Sequence, residues 1–340
     1  MKILYPDLRP GVDTEIENRI AGPNVHLDTY RFTNASDVPE AAWRTCDAIV
    51  VNARMDLTEA VAAMVTNCRI VVRTGVGYDR VDLKAFAKRG IPVCNTPDYG
   101  TTEVADTAIA MMLSFARGIS AFQNPLRANL HTGWNFAIAK TVRRLRGATF
   151  GVIGLGRIGT AAARRAAAFD MKVAFYDPHL SNGTELSLGL QRTRTLHDLL
   201  NIADCVSIHA PLTEETDGLI DEQAIHAMRP GAILINTARG PIVNLQAVYN
   251  GLSRGHLGAV GLDTVPQEPP NPEDPLFKAW CAQEPWLTDR LLLTPHAGFY
   301  SDPALQDMRS KSLETTLDFL NNHTLKNCVN GVTATKRATP

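Results

Sequence analysis

Three side chains have the types that acid–base chemistry on a carbonyl needs: His296, Glu268 and Arg239. An imidazole gives or takes a proton near neutral pH. A neighbouring carboxylate orients it and favours its charged form. A guanidinium polarises a carbonyl and grips an adjacent carboxylate. Each residue also has a plainer role open to it. His296 caps a strand end, Glu268 sits in the loop Pro266-Gln267-Glu268-Pro269-Pro270, and Arg239 pairs with any surface acid. His209, also at a strand end, is a rival base. Spacing alone does not bring the three together.

The stretch Gly154-Leu155-Gly156-Arg157-Ile158-Gly159 is the strongest local signal. An apolar run, 149–153, leads in, and an alanine-rich helical stretch, 160–169, leads out. A second apolar run, 172–176, ends at Asp177. Strand, glycine turn, helix, strand and acid follow in the order of a dinucleotide site. Gly154 permits the turn, Gly156 lets a pyrophosphate reach bare backbone, and Gly159 lets the helix pack on the strand. The helix N-terminus then faces the phosphates. Asp177 stands where an acid binds ribose hydroxyls. A carboxylate there repels a 2′-phosphate, and Pro178, His179 and Leu180 offer no arginine, so NAD is expected over NADP.

Short β-branched runs alternate with helical patterns to about residue 95, and again after Asp177. That alternation predicts parallel, right-handed α/β sheets. Polar residues follow one strand after another, at the carboxyl edge where open sheets bind ligands. One such cluster is Arg73-Thr74-Gly75-Val76-Gly77, with glycines for close backbone approach and an arginine suited to a carboxylate; a plain strand-to-helix turn explains it equally well. Thr102–Asp106 opens a long apolar helix, expected to be buried between domains or subunits. A linker-like stretch with Trp134 follows it.

At 340 residues and 45% hydrophobic, the chain suggests two domains with substantial cores. A net charge of −1 recruits neither nucleic acid nor anionic membrane. The cluster 143–146 reads as a solvated helix end. There is no apolar run long enough to span a membrane and no signal-peptide core at the N-terminus. The six cysteines are scattered and read as buried free thiols in a reducing cytoplasm; the nine histidines form no metal pattern. Residues 333–340 read as a frayed tail.

Four stretches together, Gly154–Gly159, Asn236-Thr237-Ala238-Arg239-Gly240, Gly261-Leu262-Asp263 through Glu268-Pro269, and Thr294-Pro295-His296-Ala297, resemble the D-isomer-specific 2-hydroxyacid dehydrogenase family. Stretches 175–178, 188–192 and 325–330 are similar to its C-terminal binding protein branch. The resemblance implies two interleaved, Rossmann-like and flavodoxin-like parallel-sheet domains. Residues 1–100 plus 297–340 would bind substrate, and 101–296 would bind NAD and mediate a homodimer. It implies His296 as acid/base paired with Glu268, and Arg239 on the 2-oxo acid. Arg73, Thr74, Gly75, Val76 and Gly77 would hold the substrate carboxylate. Gly154, Gly156, Arg157, Ile158, Gly159 and Asp177 would line the cofactor. Thr102, the turn His209-Ala210-Pro211, Thr216, Thr237, Ala238, Asp263 and the catalytic Arg239 and His296 complete that set. The reaction implied interconverts 2-oxo and D-2-hydroxy acids in the cytoplasm. Two other readings stay open: an NADH-sensing scaffold, and a formate- or phosphite-type dehydrogenase, which Glu268 disfavours because the formate type pairs its histidine with glutamine.

Three departures from the family pattern stand out. The long stretch 269–290 is expected as an extra loop near the site mouth. Asn244, where relatives carry aspartate, reads as a helix cap. Phe299 stands where the close branch has tryptophan.

Overall fold

A computed structural model describes residues 1–333; the tail expected over 333–340 lies, apart from Thr333, outside the described residues. The chain forms two compact units, Met1–Gly100 with the segment from Tyr300 onward, and Thr101–Phe299. The crossing into the first unit falls after Phe299. Ala297 and Gly298 are tied to Asp263, and Gly298 accepts a hydrogen bond from Thr107, so these residues pack with the second unit.

In the first unit β1 (Lys2–Tyr5), β2 (His26–Thr29), β3 (Ala48–Val51), β4 (Ile70–Arg73) and β5 (Val93–Asn95) form one parallel sheet, ordered β2-β1-β3-β4-β5. That is the flavodoxin-like order. The apolar residues of its central strands β3 and β4 are fully buried because helices cover both faces, which is why they read as unbroken Val/Ile runs rather than alternating ones.

The second unit holds β6 (Thr149–Ile153), β7 (Lys172–Tyr176), β8 (Gln191–Arg192), β9 (Cys205–Ile208), β10 (Ala232–Asn236), β11 (Leu257–Leu262) and β12 (Leu291–Leu293). All are parallel, in the order β12-β11-β10-β9-β6-β7-β8. This is the doubly wound dinucleotide-binding order with one strand added, and its direction reverses between β6 and β9. On one face Phe150, Val152, Phe175, Ile233 and Ile235 pack with Met111, Met112 and Phe115; on the other Ile153, Leu234 and Val260 pack with Leu199, Ile225 and Val248.

The apolar residues of the helix Thr101–Arg117 are buried inside the second unit, against the alanine-rich helix Arg157–Ala167. Two local expectations are corrected. What read as a linker holds a further helix, Ile119–Ala128, with Pro125 in its interior. The stretch 269–290 is no simple loop: Asp274 caps a helix, Pro275–Cys281, whose Leu276 and Phe277 are buried with Leu287, and Trp286 packs edge-on against Tyr249 at 5.3 Å. Its apolar residues attach it to the helix Leu245–Ser253, which Asn244 caps through Ala247 N–H. Four cysteines are buried, but Cys281 is exposed and Cys328 half-buried.

Candidate functional site

In the second unit the strand ends place His296, Glu268 and Arg239 together. His296 Nδ1 lies 2.8 Å from Glu268 Oε2. The Arg239 charge reaches the same carboxylate. Burial pushes the Glu268 carboxyl up. The His296 hydrogen bond and charge, the Val265 N–H and Arg239 outweigh it and hold Glu268 below the ordinary carboxylate range. Glu268 is therefore an anion near neutral pH. With Nδ1–H committed to it, Nε2 is the imidazole nitrogen left to exchange a proton.

Local sequence explains why these side chains meet. Asn236 ends β10 and folds the chain back on itself: its Oδ1 accepts from Ala238 N–H and its Nδ2 donates to Arg239 O. That presents Arg239 at the sheet edge. Gly240 follows because nothing larger fits, since a Cβ there would lie 1.9 Å from Val265 C. Asp263, at the end of β11, anchors the turn that carries His296. Its carboxylate accepts from Thr294 Oγ1 at 2.6 Å, Ala297 N–H at 2.9 Å and Gly298 N–H at 2.9 Å, and its carbonyl accepts from His296 N–H. A Cβ on Gly298 would strike that carboxylate at 2.7 Å. His296 takes φ 52°, a left-handed conformation rare outside glycine. The Phe299 ring meets it edge-on at 6.4 Å. The anchoring by Asp263 was not legible in the sequence, because its partners lie thirty and more positions away.

At the reversal between β6 and β9 the glycine turn fits a dinucleotide. Gly154 has φ 84°, and a Cβ there would meet Ala210 N at 2.7 Å. A Cβ on Gly159 would meet Gly154 O at 2.1 Å, whereas Gly156 faces open space. The helix Arg157–Ala167 starts at Gly156 with no side-chain cap and no acid in its first turn, so its N–H groups and positive dipole end face outward. Asp177 sits beside the turn and also braces it, accepting from Leu155 N–H at 2.9 Å and His179 N–H at 3.0 Å. Buried Thr237 Oγ1 and His209 Nδ1 have no hydrogen-bond partner among the described residues, as expected of groups awaiting a polar ligand.

His209 donates to or accepts from Ser207 Oγ, and desolvation pushes it down to about 4. Burial keeps it neutral and makes it a weak base at physiological pH, which sets it aside as the rival base. Thr216 Oγ1 locks the turn after Pro211, bonding Pro211 O and Thr213 N–H. Thr102 opens the helix Thr101–Arg117 and bonds Glu103. Arg157 is exposed, and Ile158 and Ala238 are half-buried. An arginine does reach the segment after Asp177, from β8. Arg192 stacks over Phe175 and donates to Leu180 O and Ser181 O. The sequence concealed it because β8 is only two residues long.

In the first unit Arg73–Gly77 forms a braced loop. Thr74 Oγ1 donates to Asn52 Oδ1 at 2.8 Å, Asn95 Nδ2 to Val76 O at 2.7 Å and Thr96 N–H to Gly75 O at 3.0 Å. Gly75 takes φ 130°. Arg73 Nη1 turns back onto Thr74 O. Asp7, buried at the end of β1, fixes the neighbouring strand end through Asn52 and Arg54 N–H.

A family model described as "D-isomer specific 2-hydroxyacid dehydrogenase, NAD binding domain" matches residues 109–298. A glyoxylate reductase of Korarchaeum cryptofilum is 35% identical over 288 residues, 84% of this chain and 83% of that protein. A D-3-phosphoglycerate dehydrogenase of Mycobacterium bovis is 38% identical over 261 residues, 77% of this chain and 46% of that longer protein. Among solved structures, an NADPH-dependent glyoxylate/hydroxypyruvate reductase of Sinorhizobium meliloti, in complex with NADP and malonate, superposes with a TM-score of 0.85 at 28% identity, covering 99% of both chains. A D-lactate dehydrogenase of Aquifex aeolicus, complexed with NAD and lactic acid, gives 0.81 at 29% identity, over 94% of this chain and 95% of that one.

Proposed function

Because the chain belongs to the D-isomer-specific 2-hydroxyacid dehydrogenase family, we propose that it is an NAD-dependent oxidoreductase interconverting a small 2-oxo acid and its D-2-hydroxy acid. The observation that carries this reading is the 2.8 Å contact between His296 and the Glu268 anion, beside Arg239. NAD, when bound, is the carrier of the hydride that the substrate C2 gains or loses. His296 handles the matching proton at Nε2, donating it to the substrate oxygen in reduction and removing it in oxidation. Glu268 holds the ring by Nδ1 and stabilises the imidazolium by charge. Arg239 polarises the 2-oxo group and holds the carboxylate beside it. The loop Arg73–Gly77 offers backbone N–H groups suited to a carboxylate.

The helix start at Gly156, with Arg157 and Ile158, holds the pyrophosphate, and Asp177 binds the adenine-side ribose. Thr102, His209-Ala210-Pro211, Thr216, Thr237, Ala238 and Asp263 shape the remaining cofactor cleft. NADH is preferred to NADPH, because the Asp177 charge opposes a 2′-phosphate and Arg192 is committed to backbone carbonyls. Small acids such as glyoxylate and hydroxypyruvate are the first candidates, on the strength of the named relatives. The protein acts as a homodimer. Supporting this, Ile119, Leu130, Trp134 and Phe136 are exposed on one continuous segment, Trp134 by 81% and Phe136 by 91%.

The test is the loss of NADH absorbance when pure protein meets a panel of 2-oxo acids, with NADPH in parallel. Fast turnover of one acid with NADH supports the reading and names the substrate. The alternative, a scaffold of the C-terminal binding protein kind, rests on sequence stretches 175–178, 188–192 and 325–330 and expects tight NADH binding without fast turnover.

A further inference from the structure

We propose that Cys94 and Cys328 are a reversible dithiol–disulfide pair that fastens the C-terminal segment to the edge of the first unit's sheet. β5 is an edge strand, and the chain at 327–330 runs antiparallel along its open side. Val329 N–H donates to Val93 O at 2.8 Å, and Asn95 N–H to Asn327 O at 3.1 Å. Asn330 closes the edge, with Oδ1 accepting from Val93 N–H and Nδ2 donating to Ile91 O. Cys94 and Cys328 stand directly opposite each other between those two backbone bonds. That makes them a non-hydrogen-bonded antiparallel pair, in which Cα atoms are about 4.5 Å apart and side chains come closest. The spacing falls within the range that a disulfide spans.

The two sulfurs already interact, and they differ in access. Cys94 is fully buried, whereas Cys328 is half-buried, with Sγ near Asn330 Oδ1 at 3.2 Å and Val332 O at 3.3 Å. Burial, then the neighbouring Cys328, pushes the Cys94 thiol up to about 12. Cys328 is thus the attacking sulfur and Cys94 the resolving one. Cys46 and Cys68 also interact, but both are fully buried, so an oxidant from solvent does not reach them.

The oxidant is a low-molecular-weight disulfide. The Cys328 thiolate attacks one of its sulfurs, the S–S bond breaks, and one thiolate leaves. Cys94 loses its proton, attacks Cys328 Sγ and expels the second thiolate. Two electrons pass from the protein to the small disulfide, and two small thiols are released. The consequence lies next door. Asn95 and Thr96 brace the loop Arg73–Gly77 through Val76 O, Gly75 O and Arg73 O. Drawing two sulfurs from contact to about 2.0 Å pulls on the end of β5 that carries those braces. This second step rests on the proposed carboxylate role of that loop.

The experiment treats full-length Cys281→Ser protein, which lacks the exposed thiol, with oxidised glutathione. Free thiols are counted after denaturation, and linked peptides are identified by mass spectrometry. The expected result is the loss of two thiols, one peptide joined through Cys94 and Cys328, recovery with dithiothreitol, and no cross-link in Cys328→Ser. KM for the accepted 2-oxo acid rises about fivefold on oxidation, the effect of weakening one ordinary hydrogen bond, with kcat and NADH affinity unchanged. Glutathione left on Cys328 without a cross-link, or a Cys46–Cys68 cross-link instead, overturns the pair. A cross-link with unchanged KM overturns its connection to the loop. The mass spectrum needs no turnover, so an inactive reduced protein counts against the enzyme reading alone.

Discussion

Glu268→Gln isolates the charge of the carboxylate from its shape. The amide keeps an oxygen for His296 Nδ1–H and loses the negative charge 2.8 Å away. At that distance Coulomb's law gives about 6 kcal/mol at an effective dielectric of 20 and about 1.5 kcal/mol in water. The two side chains are 36% and 40% exposed, so solvent screens the pair and the lower end applies, ~1–2 kcal/mol. Each 1.4 kcal/mol is about one decade in a protonation equilibrium. The acid for reduction is the imidazolium, and the Glu268 charge stabilises it. Because Glu268 is held below the ordinary carboxylate range, that charge is present at neutral pH and disappears only as pH falls through the lowered value. In Glu268→Gln the rate of 2-oxo acid reduction at neutral pH therefore falls about tenfold, and variant and wild type converge only as pH falls through the lowered Glu268 value. The assay is initial NADH consumption at saturating substrate, from about pH 4 to 9. Superimposable profiles would refute the electrostatic coupling; a uniform fall at every pH would reduce Glu268 to a purely geometric role.

Three further substitutions probe other parts of the site. His296→Ala lowers turnover by about 10²- to 10⁴-fold with NADH binding nearly unchanged, and a fully active variant removes His296 from the reaction. Asp177→Ala weakens NADH binding by about 10- to 100-fold, since charge-assisted bonds to ribose and the brace on Leu155 go together; an unaltered dissociation constant by fluorescence titration refutes the ribose role. Gly240→Ala drives a Cβ into the Val265 backbone, three residues before Glu268, and a displacement of about 1 Å costs on the order of 10²-fold in kcat/KM. Wild-type kinetics in a folded Gly240→Ala protein would show that this close approach does not position Glu268. Replacing Trp134 and Phe136 together by aspartate converts the proposed dimer to monomer in sedimentation velocity, and an unchanged sedimentation coefficient rules out that surface as the contact.

The sequence by itself determined what depends on neighbours in the chain. The strand–glycine–helix–strand–acid order from Thr149 to Asp177 is local, and both sheets are parallel because strand and helix alternate. Asn244 was legible as a cap for the same reason. Arg239, Glu268 and His296 were nameable as residue types, but they lie on three separate strand ends, and periodicity carries no distance between strand ends. Only the tertiary structure decided that His296 meets Glu268. It also decided that Asp263 clamps the His296 turn, that burial silences His209, and that Arg192 reaches the loop after Asp177. The stretch 269–290 was misread because Leu276, Phe277, Trp286 and Leu287 find apolar partners on a helix distant in sequence. Hydrogen bonds and burial act through space, so a group's partner and its desolvation are settled only when the sheets fold.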